Sequence, residues 1–90
     1  MGSYVGIDLH RRRSVVVVLN EDGQRVSWSR TGNTPSNLAA EIVAAGGPAA
    51  EVAMEATWGW YWAADVIAEC GATLHLAHPS GIAGYENRRV

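Results

Sequence analysis

The chain contains no lysine, so apart from its histidines every cationic side chain is an arginine. Arginine offers a planar fork of donors that matches phosphate and carboxylate groups, which suits specific backbone contacts better than diffuse attraction. Five of the seven arginines fall in two clusters, Arg11, Arg12 and Arg13, and Arg88 and Arg89, within a formal net charge of −2. That balance excludes a generally basic protein that coats nucleic acid. The clusters read either as local phosphate contacts or as solvated turn and tail residues. A lone cysteine, Cys70, excludes an internal disulfide and fits a reducing compartment. No apolar run approaches the ~20 residues of a membrane-crossing helix, and no basic-then-apolar leader opens the chain. A cytoplasmic protein with no membrane partner is therefore expected. Internal repeats and low-complexity tracts are absent as well.

What is present is globular. Nearly half of the 90 residues are hydrophobic and 18% are charged, a composition that folds. A chain of this length makes one small domain that buries only about 60% of its unfolded surface, so a partner or a further segment is expected to complete it.

Residues 3 to 9 and 14 to 20 are rich in Val, Ile and Leu and read as strands joined by "HRRR". "NEDG", residues 20 to 23, is a turn, and "QRVSWSR", residues 24 to 30, alternates as a half-buried third strand. Thr34 is placed to cap a helix with Pro35 in its first position, and Gly46 and Gly47 end it. "AEVAMEA", residues 50 to 56, reads as a buried strand. The spacing Trp58, Trp62, Val66, Cys70 predicts a second helix, capped by Thr57 and stopped by Gly71. "ATLHLAH", residues 72 to 78, alternates as a fifth strand that Pro79 closes. Residues 79 to 90 read as a linker that follows a domain of residues 1 to 78.

The predicted order is three antiparallel strands, helix, strand, helix, strand. Right-handed helical crossovers connect parallel neighbours, so the first, fourth and fifth strands can lie parallel. In such α/β sheets, sites form outside the carboxyl ends of the parallel strands. Asp8 and Glu55 both fall at such ends.

Asp8 stands inside an otherwise apolar run, "YVGIDLHRRRSVVVV". An unpaired buried charge is costly, so a partner is expected, either a metal ion or the adjoining arginines. If the strand ending at Glu55 pairs beside the strand ending at Asp8, the two carboxylates are separated by about one strand spacing of 4.8 Å and can share a divalent cation. Mg²⁺ suits one or two carboxylates together with water and a substrate phosphate, and Mn²⁺ can replace it. The blander alternative pairs Asp8 with Arg11 to Arg13 and leaves Glu55 as a helix cap.

The segments "YVGIDLHRRRSVVVVLNEDG", "MEATWGWYWAADVIAECGA" and "LHLAHPSGIAGYENRRV" resemble the N-terminal part of the insertion sequence 110 family transposases, in the same order over nearly the whole chain. The resemblance implies a ribonuclease H-like fold similar to the resolvase RuvC, a mixed α/β sheet that would here be truncated before its C-terminal helices. It implies a metal-binding tetrad of Asp, Glu, Asp, Asp, of which Asp8 and Glu55 would be the first two and the catalytic pair. It also implies DNA cutting and rejoining, guidance by a structured RNA, and a homo-oligomer. On that reading Arg11, Arg12, Arg13, Arg88 and Arg89 are candidates for contacts to the DNA or RNA backbone. The other two acids and the family's serine-bearing domain have no counterpart here, Glu86 matching neither position, so the chain by itself is expected to be inactive.

Other residues carry weaker signals. Trp58, Trp60, Tyr61 and Trp62 can stack on bases, but a run at helical spacing is more often core or subunit interface, with Trp60 the expected exposed member. His75 and His78 with Cys70 suggest zinc only weakly, because a strand does not put positions i and i+3 on one face. His10 lies close to the Asp8 site, although it reads more readily as a plain loop histidine. A sugar kinase or actin-like ATPase also opens on a Gly-Ile-Asp strand, but needs a Gly- and Thr-bearing phosphate hairpin where this chain has bulky "LHRRR". The other rival is a non-catalytic module that binds nucleic acid or other copies of the chain.

Overall fold

A computed structural model describes residues 2–77. They form a mixed α/β fold with strands β1 (Ser3–Leu9), β2 (Arg13–Leu19) and β3 (Arg25–Gly32), helix α1 (Pro35–Ala44), a 3₁₀ turn (Gly47–Ala49), strand β4 (Ala50–Glu55), helix α2 (Tyr61–Glu69) and strand β5 (Thr73–Ala77). The strands make one five-stranded mixed sheet in the order β3-β2-β1-β4-β5. β1, β2 and β3 pair antiparallel, while β4 lies parallel to both β1 and β5. Among these residues no helix is long and apolar enough to cross a membrane. His78, Pro79, Glu86, Arg88, Arg89 and the expected linker lie outside the described residues.

Strict alternation in β1 buries Val5, Ile7 and Leu9 and turns Tyr4, Gly6 and Asp8 to the other side. β2 and β4 alternate in the same way, burying Val16 and Val18, and Val52 and Met54. These side chains form one core with Leu38 and Ile42 of α1 and Ala63, Val66 and Ile67 of α2, so both helices cover the same face of the sheet. Burying each such side chain is worth about 1.5–3 kcal/mol, and this face is where the apolar residues of both helices go. The opposite face carries no described element.

The helix starts follow different chemistry. α1 begins as its sequence predicts: the Thr34 hydroxyl accepts from the Asn37 amide at 3.1 Å, and Pro35 occupies the first turn. α2 begins three residues later than the tryptophan spacing predicts, because Gly59 adopts φ +81°, a left-handed conformation that ends any helical path from Trp58. Thr57 therefore caps nothing, and its hydroxyl is buried with no hydrogen-bond partner among the described residues. Trp60 takes the cap position, where its side chain makes no capping bond to the helix. At the other end Gly71 adopts φ +78°, and a Cβ there would come within 3.2 Å of Pro48.

Candidate functional site

Ile7 and Met54 are paired across parallel β1 and β4, and Asp8 and Glu55 are the next residue on each strand. Both carboxylates therefore leave the sheet side by side at its carboxyl end, about one strand spacing of 4.8 Å apart at the backbone. Both are exposed on the face opposite the helices, and both border one shallow depression with Gly6, Val15 and Ala53. The strand-end convergence inferred from the crossovers is thus present. The sequence reading of Asp8 as a buried charge is not: alternation turns it to solvent, so it carries no large desolvation cost.

Among the described residues the side chain that meets Asp8 is His10, not the adjoining arginine cluster. His10 Nε2 lies 3.0 Å from Asp8 Oδ2, with both side chains about two-thirds exposed. No arginine of the 11 to 13 cluster pairs with a carboxylate among the described residues. The three arginines are exposed, Arg11 and Arg12 on the β1–β2 turn and Arg13 at the start of β2, at the same edge of the sheet as Asp8 and Glu55.

Asn33 fixes that turn. Its amide donates to the Arg12 carbonyl at 2.9 Å, and its side-chain Nδ2 donates to the His10 carbonyl at 2.5 Å. Its Oδ1 accepts from the hydroxyl of Ser14 at 2.6 Å, and Ser14 is the buried polar residue of the core layer. Three bonds from one residue at the end of β3 thus set the path of the arginine-bearing turn.

The sheet register brings in a residue that the sequence reading did not single out. Asp8 pairs with Val15, and Val15 pairs with Arg30. Directly opposed residues share a face, so Arg30 stands in the same row as the Asp8 carboxylate. Its guanidinium lies over the Trp28 ring, 5.9 Å from the centroid. The signal for it was the alternation of Trp28 and Arg30, which places both on one side of β3, whereas Val26 falls at an irregularity in the pairing with β2.

The aromatic residues divide differently from expectation. Trp58 is the presented side chain, 98% exposed on the turn after β4, whereas Trp60 is partly buried against the core. Trp60 stacks on Tyr61 with ring centroids 4.2 Å apart, and Tyr61 is itself exposed. The Gly59 bend is the cause, since it frees Trp58 from the helix that Trp60 and Trp62 pack into place. Leu9, His10, Arg11, Trp58 and Trp62 line a second depression beside the carboxylate edge.

His75 and Cys70 do not form a metal site. The His75 ring is engaged by Glu51 at 2.6 Å, on the helix-free face, and Cys70 caps the far end of α2. Among the described residues no group of three or more His, Cys, Asp and Glu side chains is placed to hold a metal ion. The Asp8 and Glu55 pair is therefore a two-carboxylate arrangement, open to solvent on one side. No protein-family model matches the chain, and no curated protein does either.

Proposed function

We propose that the chain belongs to a ribonuclease H-like, RuvC-like catalytic domain of the transposase type, in which Asp8 and Glu55 hold a divalent cation at a phosphodiester of DNA. The observation that carries this reading is the parallel register of β1 and β4, which sets the two carboxylates side by side on the open face.

The donor set fits such an ion. Two exposed carboxylates suit Mg²⁺ or Mn²⁺, hard cations that take oxygen ligands and keep water. The same face is open beside them, since a Cβ built on Gly6, two residues before Asp8, would meet nothing within 4 Å. When bound, the cation would neutralise charge on a phosphoryl oxygen and lower the pKa of an attacking water. The chain's own contribution is positional. Asp8 and Glu55 fix where the phosphate approaches, and His10 holds one oxygen of Asp8 in place. Arg11 and Arg12, on the strapped turn, and Arg13, at the start of β2, contact the neighbouring backbone, and such contacts set register rather than read sequence. Arg88 and Arg89 are proposed for the same role.

The partners proposed are DNA, a structured guide RNA and further copies of the chain, in a cytoplasmic setting that suits the single cysteine. The alternative, a module that binds nucleic acid or other copies without chemistry, is favoured by one observation, the 98% exposure of Trp58.

The test is a Mn²⁺ titration of the isotope-labelled chain, followed residue by residue as paramagnetic broadening. Broadening centred on both Asp8 and Glu55, and abolished by Asp8→Asn, is expected. Broadening spread evenly over the nine acidic residues would remove the basis for a metal site.

A further inference from the structure

Beside the carboxylates, toward β2 and β3, lies a groove of about 280 Å³ lined by His10, Arg13, Ser14, Val15 and Arg30. Arg13 and Val15 occupy the same side of β2, two residues apart, and Val15 pairs with Arg30, so both guanidinium groups reach this groove from the helix-free face. From Asp8 to Arg30 is two strand spacings, about 10 Å, with only the short side chain of Val15 between them.

Neither arginine has a carboxylate partner among the described residues. The Arg30 guanidinium lies over the Trp28 ring, which steadies the side chain while its N–H donors meet no carboxylate among the described residues. The floor of the groove is fixed as well. Ser14 is 2% exposed and bound to Asn33, Asn33 holds the His10 and Arg12 carbonyls, and the His10 amide donates to the Arg13 carbonyl at 3.1 Å. Two cations brought to one groove from neighbouring strands repel each other unless an anion lies between them.

We propose that this groove binds a phosphate group through Arg13 and Arg30, and that its occupant is a backbone phosphate of a nucleic acid strand crossing the carboxylate edge. The phosphate chemistry follows from two guanidinium forks that meet no carboxylate among the described residues, whereas the nucleic-acid occupant rests on the function proposed above. Arg30 is then a positioning residue that fixes where the strand lies relative to Asp8 and Glu55. The Asp8 charge opposes an anion at this distance, so phosphate in the groove and a cation at the carboxylates should strengthen each other's binding, and by equal factors.

The experiment uses the full chain, labelled with ¹⁵N, at constant ionic strength and without divalent metal. Inorganic phosphate and a single-stranded hexathymidylate are titrated separately, and the arginine side-chain and backbone signals are followed. Both ligands should shift Arg13 and Arg30 ahead of Arg25, the hexathymidylate at the lower concentration. Arg30→Gln should weaken both by about fivefold, the loss of one exposed charge-assisted contact. Asp8→Asn should tighten both.

Equal shifts at all arginines, or none at Arg13 and Arg30, would overturn the groove. Phosphate binding there without hexathymidylate binding would overturn the nucleic-acid occupant. Hexathymidylate shifts confined to Trp58 and Tyr61 would do the same and move the strand to the aromatic side. Concentration-dependent shifts without added ligand, centred on this groove, would overturn the proposal in favour of contact between copies. Because this titration contains no metal, its failure with Mn²⁺ broadening intact removes the groove alone, and the reverse pattern removes the metal reading alone.

Discussion

Asp8 and Glu55 extend a parallel pairing by one residue beyond Ile7 and Met54, so the inward pair anchors the core while the outward pair projects two carboxylates into solvent. One backbone register thus serves packing and the candidate site together. A slip by a single residue would exchange the two faces and bury both charges, which ties the geometry of the site to the stability of the sheet.

Replacing either acid should therefore separate binding from folding. Asp8→Asn and Glu55→Gln keep size and exposure, so each should change unfolding free energy by no more than about 0.5 kcal/mol in urea melts. Each should weaken Mn²⁺ binding at least tenfold. A variant that binds Mn²⁺ as the parent does would take its residue out of the site.

Asn33 should behave in the opposite way. Asn33→Ala strips the Ser14 hydroxyl and the His10 carbonyl of their partner. Leaving a buried hydroxyl unsatisfied costs about 1–3 kcal/mol, visible as a lowered urea midpoint. Ser14→Ala in the same background removes the orphaned group and should recover part of that loss. No recovery would mean that Asn33 acts through the turn and not through Ser14.

The strands and α1 were legible in the sequence because one local rule governs each. Period-two alternation marks β1, β2 and β3, and Thr34 followed by Pro35 marks the start of α1. The facing of Asp8 followed from the same alternation, yet its apolar neighbours suggested burial. The difference arises because both helices settle on one side, which no local pattern specifies. Arg30 was missed as part of the site, and His10, though placed close to it, was read as a plain loop histidine, for a related reason. Their neighbourhood is created by strand pairing over 15 and more residues, and by the path of a turn. The tryptophan run misled because its spacing fits a helix, while the single Gly59 between Trp58 and Trp60 decides which ring is packed.

The core should be unforgiving. Ile42 and Ile67 are fully buried on the two helices that share the single core. Ile67→Ala should cost about 2–5 kcal/mol, a large share of the 5–15 kcal/mol available to a domain. Loss of the cooperative thermal transition in circular dichroism is the expected readout. A melting curve close to that of the parent would mean that α2 is only loosely docked on the sheet.

Gly59 holds the bend that exposes Trp58. A side chain at φ +81° costs roughly 1–2 kcal/mol, so Gly59→Ala should destabilise modestly although a Cβ there meets no atom within 4 Å. The cost then comes from backbone conformation alone. Gly59→Asn, which tolerates this region better, should lose less than Gly59→Ala. Equal losses would point to a contact rather than to the backbone.

Trp58 itself provides the sharpest comparison between the two functional readings. The ring is 98% exposed, so Trp58→Ala removes almost no packing and should leave the urea midpoint unchanged. If the aromatic side of the carboxylate edge takes a base of the same strand, affinity for single-stranded DNA should fall by about 1–3 kcal/mol, the usual worth of one stacked base. Sedimentation of the parent and the variant then distinguishes the alternative. A parent that self-associates, and a Trp58→Ala chain that does not while binding DNA as before, would assign the ring to contact between copies. Arg30→Gln should leave that association untouched, because Arg30 stands on β3 and Trp58 follows β4, on opposite sides of Asp8.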